Sequence, residues 1–294
     1  MAWPDFSEGL SIVIPTYNER ENIEQLLAEI ASVAPQLERP SEVVLVDDRS
    51  PDGTAELASQ LGRDKGLDVR VVTPNGPRSM GGAIARGLDV CRWDLVCVMD
   101  ADLSHPPSLI PCLVASLDGA DGVVASRYVP GADIESWPAR RHLISLGATL
   151  IARIGLRVRC RDPLSGFFVF RRSFLRSVSI RGDGNKPLLE ILVQARPIVS
   201  EVPYLFRNRR NGESKLNARN IGEFLGLVVR LWPSSRNARM IRPETSGLSG
   251  LDPPQPSPNC FEKTSLLRDD GPLEFQVGRN RVEHAAGHRF RLHR

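Results

Sequence analysis

No stretch of this chain approaches the roughly 18–20 consecutive apolar residues that cross a bilayer as a helix, and residues 1–10 hold no apolar signal core. The sequence therefore predicts neither a membrane-spanning segment nor a secretory leader. Cysteine is scarce: Cys91, Cys97, Cys112, Cys160 and Cys260 are odd in number and scattered, with no pairing pattern and no zinc spacing. That usage points to a reducing cytoplasm. Charge of one sign is lacking too, the formal net charge being only +3, and no basic stripe interleaved with aromatics marks a nucleic-acid binder. Nor does a Gly-x-Gly-x-x-Gly follow the first apolar run. The turn there reads Pro15-Thr16-Tyr17-Asn18-Glu19, which disfavours a redox dinucleotide seated on a helix N-terminus. What is present is a chain of 294 residues, 41% of them hydrophobic, long enough to bury a substantial core.

Short β-branched runs alternate with helical patterns along the first third. Leu10–Pro15 reads as a strand, and Asn18 as a candidate helix cap with Glu21 three residues on. Ile23, Leu26, Leu27 and Ile30 then recur at helical spacing. Val43–Val46 and Val69–Val72 are further strands, Ala83–Asp89 a helix, and Leu95–Met99 a buried strand. Strand–helix alternation of this kind predicts an α/β fold, a mostly parallel, doubly wound sheet with helices on both faces.

Acids cluster where these strands stop. Glu19 follows the first, Asp47-Asp48 the second, and Asp100-Ala101-Asp102 the fourth. Ligands of open α/β sheets bind beyond the carboxyl ends of the strands. Two carboxylates one residue apart suit a hard divalent cation, which neutralises a diphosphate. The remaining acids can accept hydrogen bonds from a base edge or ribose hydroxyls, and Tyr17 can stack on a base. The pattern fits a nucleotide-sugar donor. Asp47 is either a second ligand or the cap of the following turn. His105 reads as a loop-packing residue, because no other His or Cys stands at ligand spacing.

Pro15-Thr16-Tyr17-Asn18-Glu19, Val46-Asp47-Asp48, Ser50-Pro51-Asp52-Gly53-Thr54 and Asp100-Ala101-Asp102-Leu103-Ser104-His105-Pro106-Pro107 together resemble the inverting family-two glycosyltransferases of GT-A fold. Within them the chain is similar to the dolichyl- or polyprenyl-phosphate mannosyltransferases. The segments Ser126-Arg127-Tyr128, Asp162–Phe168, Lys186–Leu192 and Asn211–Leu216 match that subfamily in order and spacing. The resemblance covers residues 9–232, the expected catalytic domain. Arg49, Ser108 and Pro187 depart from its pattern without removing a matched functional group. Pro187 is tolerated in the first turn of a helix, so a helix is expected to start near Lys186.

The resemblance implies transfer of mannose from GDP-mannose to dolichyl or other polyprenyl phosphate, with inversion. Pro15, Tyr17, Glu19, Val46 and Asp48 would hold the nucleotide. Asp100, Ala101 and Asp102 would hold the diphosphate and Mg²⁺ or Mn²⁺, with Ser104 near the metal. Arg127, Arg141 and Ser145 would receive the acceptor phosphate. Lys186 would lie near the donor phosphates, and Arg209 and Lys215, beside Gly212, would close over them. Asp102, Arg127, Arg209 and Lys215 are the expected catalytic groups. Two alternatives stand: a polyprenyl-phosphate glucosyltransferase using UDP-glucose, and a non-catalytic nucleotide-binding subunit.

Residues 139–158 and 219–232 mix apolar side chains with Arg and His at helical spacing. Such helices either pack on the domain or lie in a membrane interface; the lipid acceptor implied by the resemblance favours the second. The expected location is peripheral, on the cytoplasmic face of a membrane. From Pro233 the composition turns to Ser, Pro, Asn, Arg and Gly, and Pro253–Pro258 is low-complexity, so residues 233–294 read as a disordered tail. Relatives of this kind can continue here into transmembrane helices; without them, recruitment would fall to a membrane-anchoring partner subunit.

Overall fold

The computed structural model describes residues 9–75, 78–135, 137–176, 178, 180, 186–207 and 218–237. In chain order the elements are β1 (Leu10–Thr16), α1 (Arg20–Val33), β2 (Ser41–Asp47), α2 (Thr54–Asp64), β3 (Val69–Val72), α3 (Met80–Val90) and β4 (Leu95–Val98). They continue through α4 (Ile110–Ala115), β5 (Gly122–Ser126), β6 (Asp133–Ile134), α5 (Ala139–Gly155), β7 (Phe168–Arg171) and α6 (Arg172–Leu175). The last are α7 (Pro187–Ala195), β8 (Val199–Pro203), β9 (Leu205–Phe206) and α8 (Ala218–Asn237). A seven-stranded sheet runs β3-β2-β1-β4-β7-β5-β8, and β6 pairs with β9 in a small parallel ribbon.

The sheet is mostly parallel, as the alternation predicts. β7 alone in it is reversed, pairing antiparallel with both β4 and β5. The strand runs are continuously apolar because both faces are covered. Ile12 and Ile14 of β1 pack with Ile23, Leu26 and Leu27 of α1, while Val13 packs with Ala83 and Ile84 of α3. The two-residue period of the strand thus divides the core into two layers. α7 and α8 join the α3 side, and α4 the α1 side.

The strand order β3-β2-β1-β4 reverses its sense of progression between the parallel neighbours β1 and β4, the switch point at which such sheets bind ligands. Thr16 is opposite Asp47, and Val13 opposite Val98. The Tyr17, Asp48 and Asp100 segments therefore share one edge of the sheet. β5 and β8 end on the same edge, and β7 begins there.

Several local readings are corrected. Asn18 does not cap α1. It adopts the left-handed conformation (φ 58°), and Glu19 is the N-cap residue. α8 runs through Pro233 to Asn237, past the point where the sequence signals a tail, and residues 238–294 lie outside the described residues. Cys91, Cys97 and Cys160 are free and buried. The helix expected near Lys186 does start there, with Lys186 as N-cap and Pro187 at its first position.

Gly87 sets the distance between α3 and the sheet. A Cβ added there would lie 2.4 Å from Val13 Cγ1 and 3.2 Å from Val46 Cγ2. Alanine for glycine in a helix interior favours folding by about 0.5–1 kcal/mol, whereas overpacking costs about 1–3 kcal/mol. Both valines are buried and stiff at Cβ, so overpacking wins. Gly87→Ala should lower stability by about 1 kcal/mol or more, read as a lower urea midpoint; an unchanged midpoint would mean that α3 moves off the sheet without penalty.

Candidate active site

The two loops leaving β1 and β2 are stitched together by hydrogen bonds. Asn18 N–H donates to Ser50 Oγ (2.9 Å), Glu19 N–H to Thr54 Oγ1 (3.1 Å), and Arg20 N–H to Asp52 Oδ2 (3.2 Å). Burial would raise the Asp52 pKa, yet the Thr54 hydroxyl and the backbone N–H donors outweigh it and hold this carboxyl below its ordinary range. Asp47 caps the turn, accepting from Ser50 N–H (2.8 Å) and Ser50 Oγ (2.6 Å). The cap reading of Asp47 is the one the contacts support. Arg49, where the family pattern has a small residue, adopts φ 60°, a left-handed conformation that costs a bulky side chain.

On this platform Tyr17 is partly exposed and Asp48 nearly buried. The Asp48 pKa is raised, chiefly by burial, with Asp47 adding to it; the Ser79 N–H, Arg49 and Arg78 act the other way. The Arg78 guanidinium lies 3.8 Å from the centroid of the Tyr17 ring. Sequence reasoning assigned Arg78 no role, since one arginine in a Gly- and Pro-rich loop carries no signal by itself. Glu19 is tied to its own helix, its Oε2 accepting from Asn22 Nδ2 at 2.7 Å. Pro15 and Val46 stand opposite each other in β1 and β2.

Asp100, Ala101 and Asp102 follow β4. Asp102 Oδ1 accepts from both the N–H (3.1 Å) and the hydroxyl (2.6 Å) of Ser104, which fixes this carboxylate in the turn. Asp100 N–H donates to His105 Nδ1 at 3.1 Å. That bond makes Nδ1 an acceptor and leaves the ring proton on Nε2. The His105 ring is buried, stacked on Phe167 (5.3 Å between centroids) and edge-on to Phe206 (5.8 Å). It is a packing residue, as its isolation in the sequence implied.

Gly166 closes on the same carboxylate. A Cβ there would lie 2.9 Å from His105 Cε1 and 3.1 Å and 3.4 Å from the two Asp100 carboxylate oxygens. The missing side chain leaves a cradle beside Asp100, and the donors around it are hard oxygens. That donor set fits Mg²⁺ or Mn²⁺, with Asp100 and Asp102 as the holding residues and the Ser104 hydroxyl as their neighbour. Among the described residues no group of three or more His, Cys, Asp or Glu forms a metal cage.

Arg127 follows β5 and is grasped by Asp162. Nε donates to Oδ2 (2.7 Å), Nη2 to Oδ1 (2.8 Å), and the Arg127 backbone N–H to Oδ2 (3.0 Å). Burial would depress the Arg127 pKa, but the Asp162 charge more than reverses this, so the guanidinium stays protonated. The Tyr128, Trp137 and Phe206 rings lie 5.4–5.7 Å from it. The Arg141 guanidinium sits 4.1 Å from the Trp137 ring, and Tyr128 OH donates to Ser145 Oγ at 2.8 Å. Arg127, after β5, and Arg141 and Ser145, one turn apart on α5, thus meet around Trp137 and Tyr128. Lys186 lies at the start of α7, whereas Arg209, Gly212 and Lys215 fall outside the described residues. Asp162 belongs to a motif recognised in the sequence, but its partner could not be read there.

The family model for glycosyl transferase family 2 matches residues 11–179, which include both the Asp100/Asp102 turn and the Arg127–Asp162 pair. The chain belongs to this family. It is a glycosyltransferase. Dolichol-phosphate mannosyltransferase of Pyrococcus furiosus is 40% identical over 248 residues, 82% of this chain and 69% of its own. The Saccharomyces cerevisiae protein of the same name is 33% identical over 233 residues, 76% and 86% of the two chains. Polyprenol monophosphomannose synthase of Mycolicibacterium smegmatis is 35% identical over 74% of this chain and 84% of its own. Among solved structures, glucosyl-3-phosphoglycerate synthase from Mycobacterium tuberculosis, in complex with Mn²⁺, UDP and phosphoglyceric acid, superposes with a TM-score of 0.59 at 20% identity. That match covers 80% of this chain and 81% of the other. Mannosyl-3-phosphoglycerate synthase from Rubrobacter xylanophilus gives 0.57 at 21% identity, over 81% and 79%. These two likenesses establish the GT-A-like fold of this glycosyltransferase.

The Gly166 cradle yields a test. His105 is locked between aromatic rings, so a Cβ at Gly166 must push the Asp100 carboxylate instead. Gly166→Ala should weaken Mn²⁺-dependent nucleotide binding about tenfold or more, as supporting residues of metal sites do when altered, with only a small change in melting temperature. Titration calorimetry with nucleoside diphosphate checks it; wild-type affinity in the variant would remove Gly166 from the site.

Proposed function

We propose that this enzyme transfers mannose from GDP-mannose to a polyprenyl phosphate such as dolichyl phosphate, with inversion, at the cytoplasmic face of a membrane. The observation that carries this reading is the gathering of Arg127, Arg141 and Ser145 on the same sheet edge as Asp100 and Asp102, beside the outward apolar face of α5. The names of the relatives that align over most of the chain support it.

A lipid phosphate monoester is already ionised near neutral pH, its second pKa being about 6. No side chain has to remove a proton, in keeping with a site rich in arginine and carboxylate. The difficulty is the meeting of two anions. Arginines offset it on the acceptor side with fixed, planar donors. On the donor side Asp100 and Asp102, with Ser104 beside them, would hold a divalent ion, which would supply positive charge to the diphosphate. The nucleotide rests on Pro15, Tyr17, Glu19, Val46 and Asp48. Lys186, with Arg209 and Lys215 from the segment outside the described residues, stabilises the charge that grows on the leaving diphosphate. One acceptor phosphate oxygen forms a bond to the anomeric carbon as the bond to the diphosphate breaks, and GDP departs. A single displacement gives the β-mannosyl phosphate.

Membrane contact is peripheral in this reading. No helix among the described residues is long and apolar enough to cross a membrane. Instead α5 exposes Leu143, Leu150 and Ile154, and α8 exposes Leu225, Val229 and Trp232. The two helices lie side by side, with Gly155 facing the Trp232 indole. Apolar side chains with arginines on the same helices suit an anionic lipid surface. A membrane-anchoring partner subunit would add to this weak attachment.

The decisive experiment offers the full chain radiolabelled GDP-mannose or UDP-glucose with a polyprenyl phosphate and Mn²⁺. Mannose transfer from the guanosine donor is expected, and glucose transfer from UDP-glucose would overturn the donor assignment. Asp102→Asn should abolish transfer while keeping its melting temperature, because an amide oxygen can still accept the Ser104 bonds. Lys215→Ala should slow transfer strongly. Donor binding with no transfer of either sugar would refute the enzyme reading altogether.

A further inference from the structure

Asp162 and Arg127 do not stand alone. The Glu201 carboxylate, on β8, accepts from two successive backbone N–H groups of the loop before β7. Oε2 takes Arg161 N–H at 2.8 Å, and Oε1 takes Asp162 N–H at 3.1 Å. Three residues on, the Ser165 hydroxyl donates to the Ala125 carbonyl of β5 at 2.7 Å. The loop is therefore fastened to two neighbouring strands, with the fully buried Asp162 between the fastenings. Asp162 in turn holds both the backbone and the side chain of Arg127.

We infer that Glu201 and Asp162 are positioning residues for the acceptor site, a relay from β8 through the loop that sets the direction in which the Arg127 guanidinium meets a phosphate. This rests on the acceptor role of Arg127 proposed above. A guanidinium has five N–H donors in a rigid fork. Asp162 occupies the Nε/Nη2 edge, which turns the opposite edge toward a second anion. The rings of Tyr128, Trp137 and Phe206 surround the guanidinium without a directional bond to it, whereas the paired bonds to the Asp162 carboxylate fix its rotation. Asp162 is aimed by its own backbone, and that backbone is gripped by Glu201. Glu201 is partly exposed, and besides these main-chain N–H groups its carboxylate meets the buried Cys160 thiol, so the glutamine variant, which keeps the shape of the side chain, is compared with the alanine one. The relay is absent from any local sequence pattern because its three members come from the turn after β5, the loop before β7, and β8.

The test compares Glu201→Ala, Glu201→Gln, Arg127→Ala and the Glu201→Ala/Arg127→Ala double variant, with the donor that the wild type uses and a polyprenyl phosphate. Glu201→Ala should raise KM for the lipid phosphate on the order of tenfold, as loss of a charge-assisted bond does, and leave KM for the donor unchanged. Glu201→Gln keeps one acceptor oxygen and should fall between this variant and the wild type; it also serves should the alanine variant fold poorly. In the Arg127→Ala background, removing Glu201 should add nothing, since residues acting through one group are not additive. An equal further loss in that background would overturn the relay, as would wild-type lipid KM in both Glu201 variants where Arg127→Ala is impaired. If Arg127→Ala itself binds the lipid phosphate normally, the acceptor role of Arg127 fails and the relay falls with it.

Discussion

The parallel register of β1 between β2 and β4 is the constraint on which the rest of this molecule depends. It brings three strand ends to one edge of the sheet, and the Tyr17, Asp48 and Asp100 turns are short extensions from that edge. Because the strands are covered on both faces, the register is held by side-chain packing above and below, and a slip of one residue would exchange the two layers. Gly87 shows how tight that packing is: α3 approaches β1 so closely that no side chain fits between them. The Asp48 and Asp100 turns thus spring directly from this packed core, and charge stabilisation favours groups fixed in advance, since donors that must reorganise give up much of their advantage.

Charge in the site is managed by pairing within short loops. Ser104 holds Asp102, Ser50 holds Asp47, and Thr54 holds Asp52. Each is an acid with a hydroxyl two or three residues away, a local arrangement that orients a carboxylate without neutralising it. The acceptor side works differently. Arg127 is buried, so its cost of desolvation demands a counter-ion of equal burial, and Asp162 supplies it. The protein thus carries hydroxyl-held carboxylates at one side of this edge and a carboxylate-held guanidinium at the other. A net charge of +3 conceals this separation.

The outer helices connect the site to its surroundings. α5 carries Arg141 and Ser145 toward the Trp137–Tyr128 cluster and Leu143, Leu150 and Ile154 toward solvent, so a single helix links that cluster to the apolar surface. Apolar residues at such exposure are costly on an isolated protein, and a lipid substrate gives them a reason to be there. α8 is anchored from behind by Arg230, 3.7 Å from Glu190 of α7, and extends the same surface.

Strand and helix alternation, the acids at strand ends, the helix start at Lys186 and the packing role of His105 were all determined by local sequence. Periodicity, proline position and ligand spacing act within a few residues, and they need no knowledge of distant partners. Asp47 as a cap was among the local options. Other features were decided only by tertiary structure. β7 is inserted antiparallel between β4 and β5, which no local pattern distinguishes from a parallel strand. Asn18 gives up the cap to Glu19 because its N–H is drawn to Ser50 on the neighbouring loop. α8 passes through Pro233 because the side chains around it, Leu231 and Ser235, are buried against the domain, and packing outweighs the loss of one backbone bond. The Arg127–Asp162–Glu201 chain joins residues 35 and 39 positions apart. Such pairs form only when the sheet order is known, so the sequence could name the chemistry of this site but not the side chains that aim it.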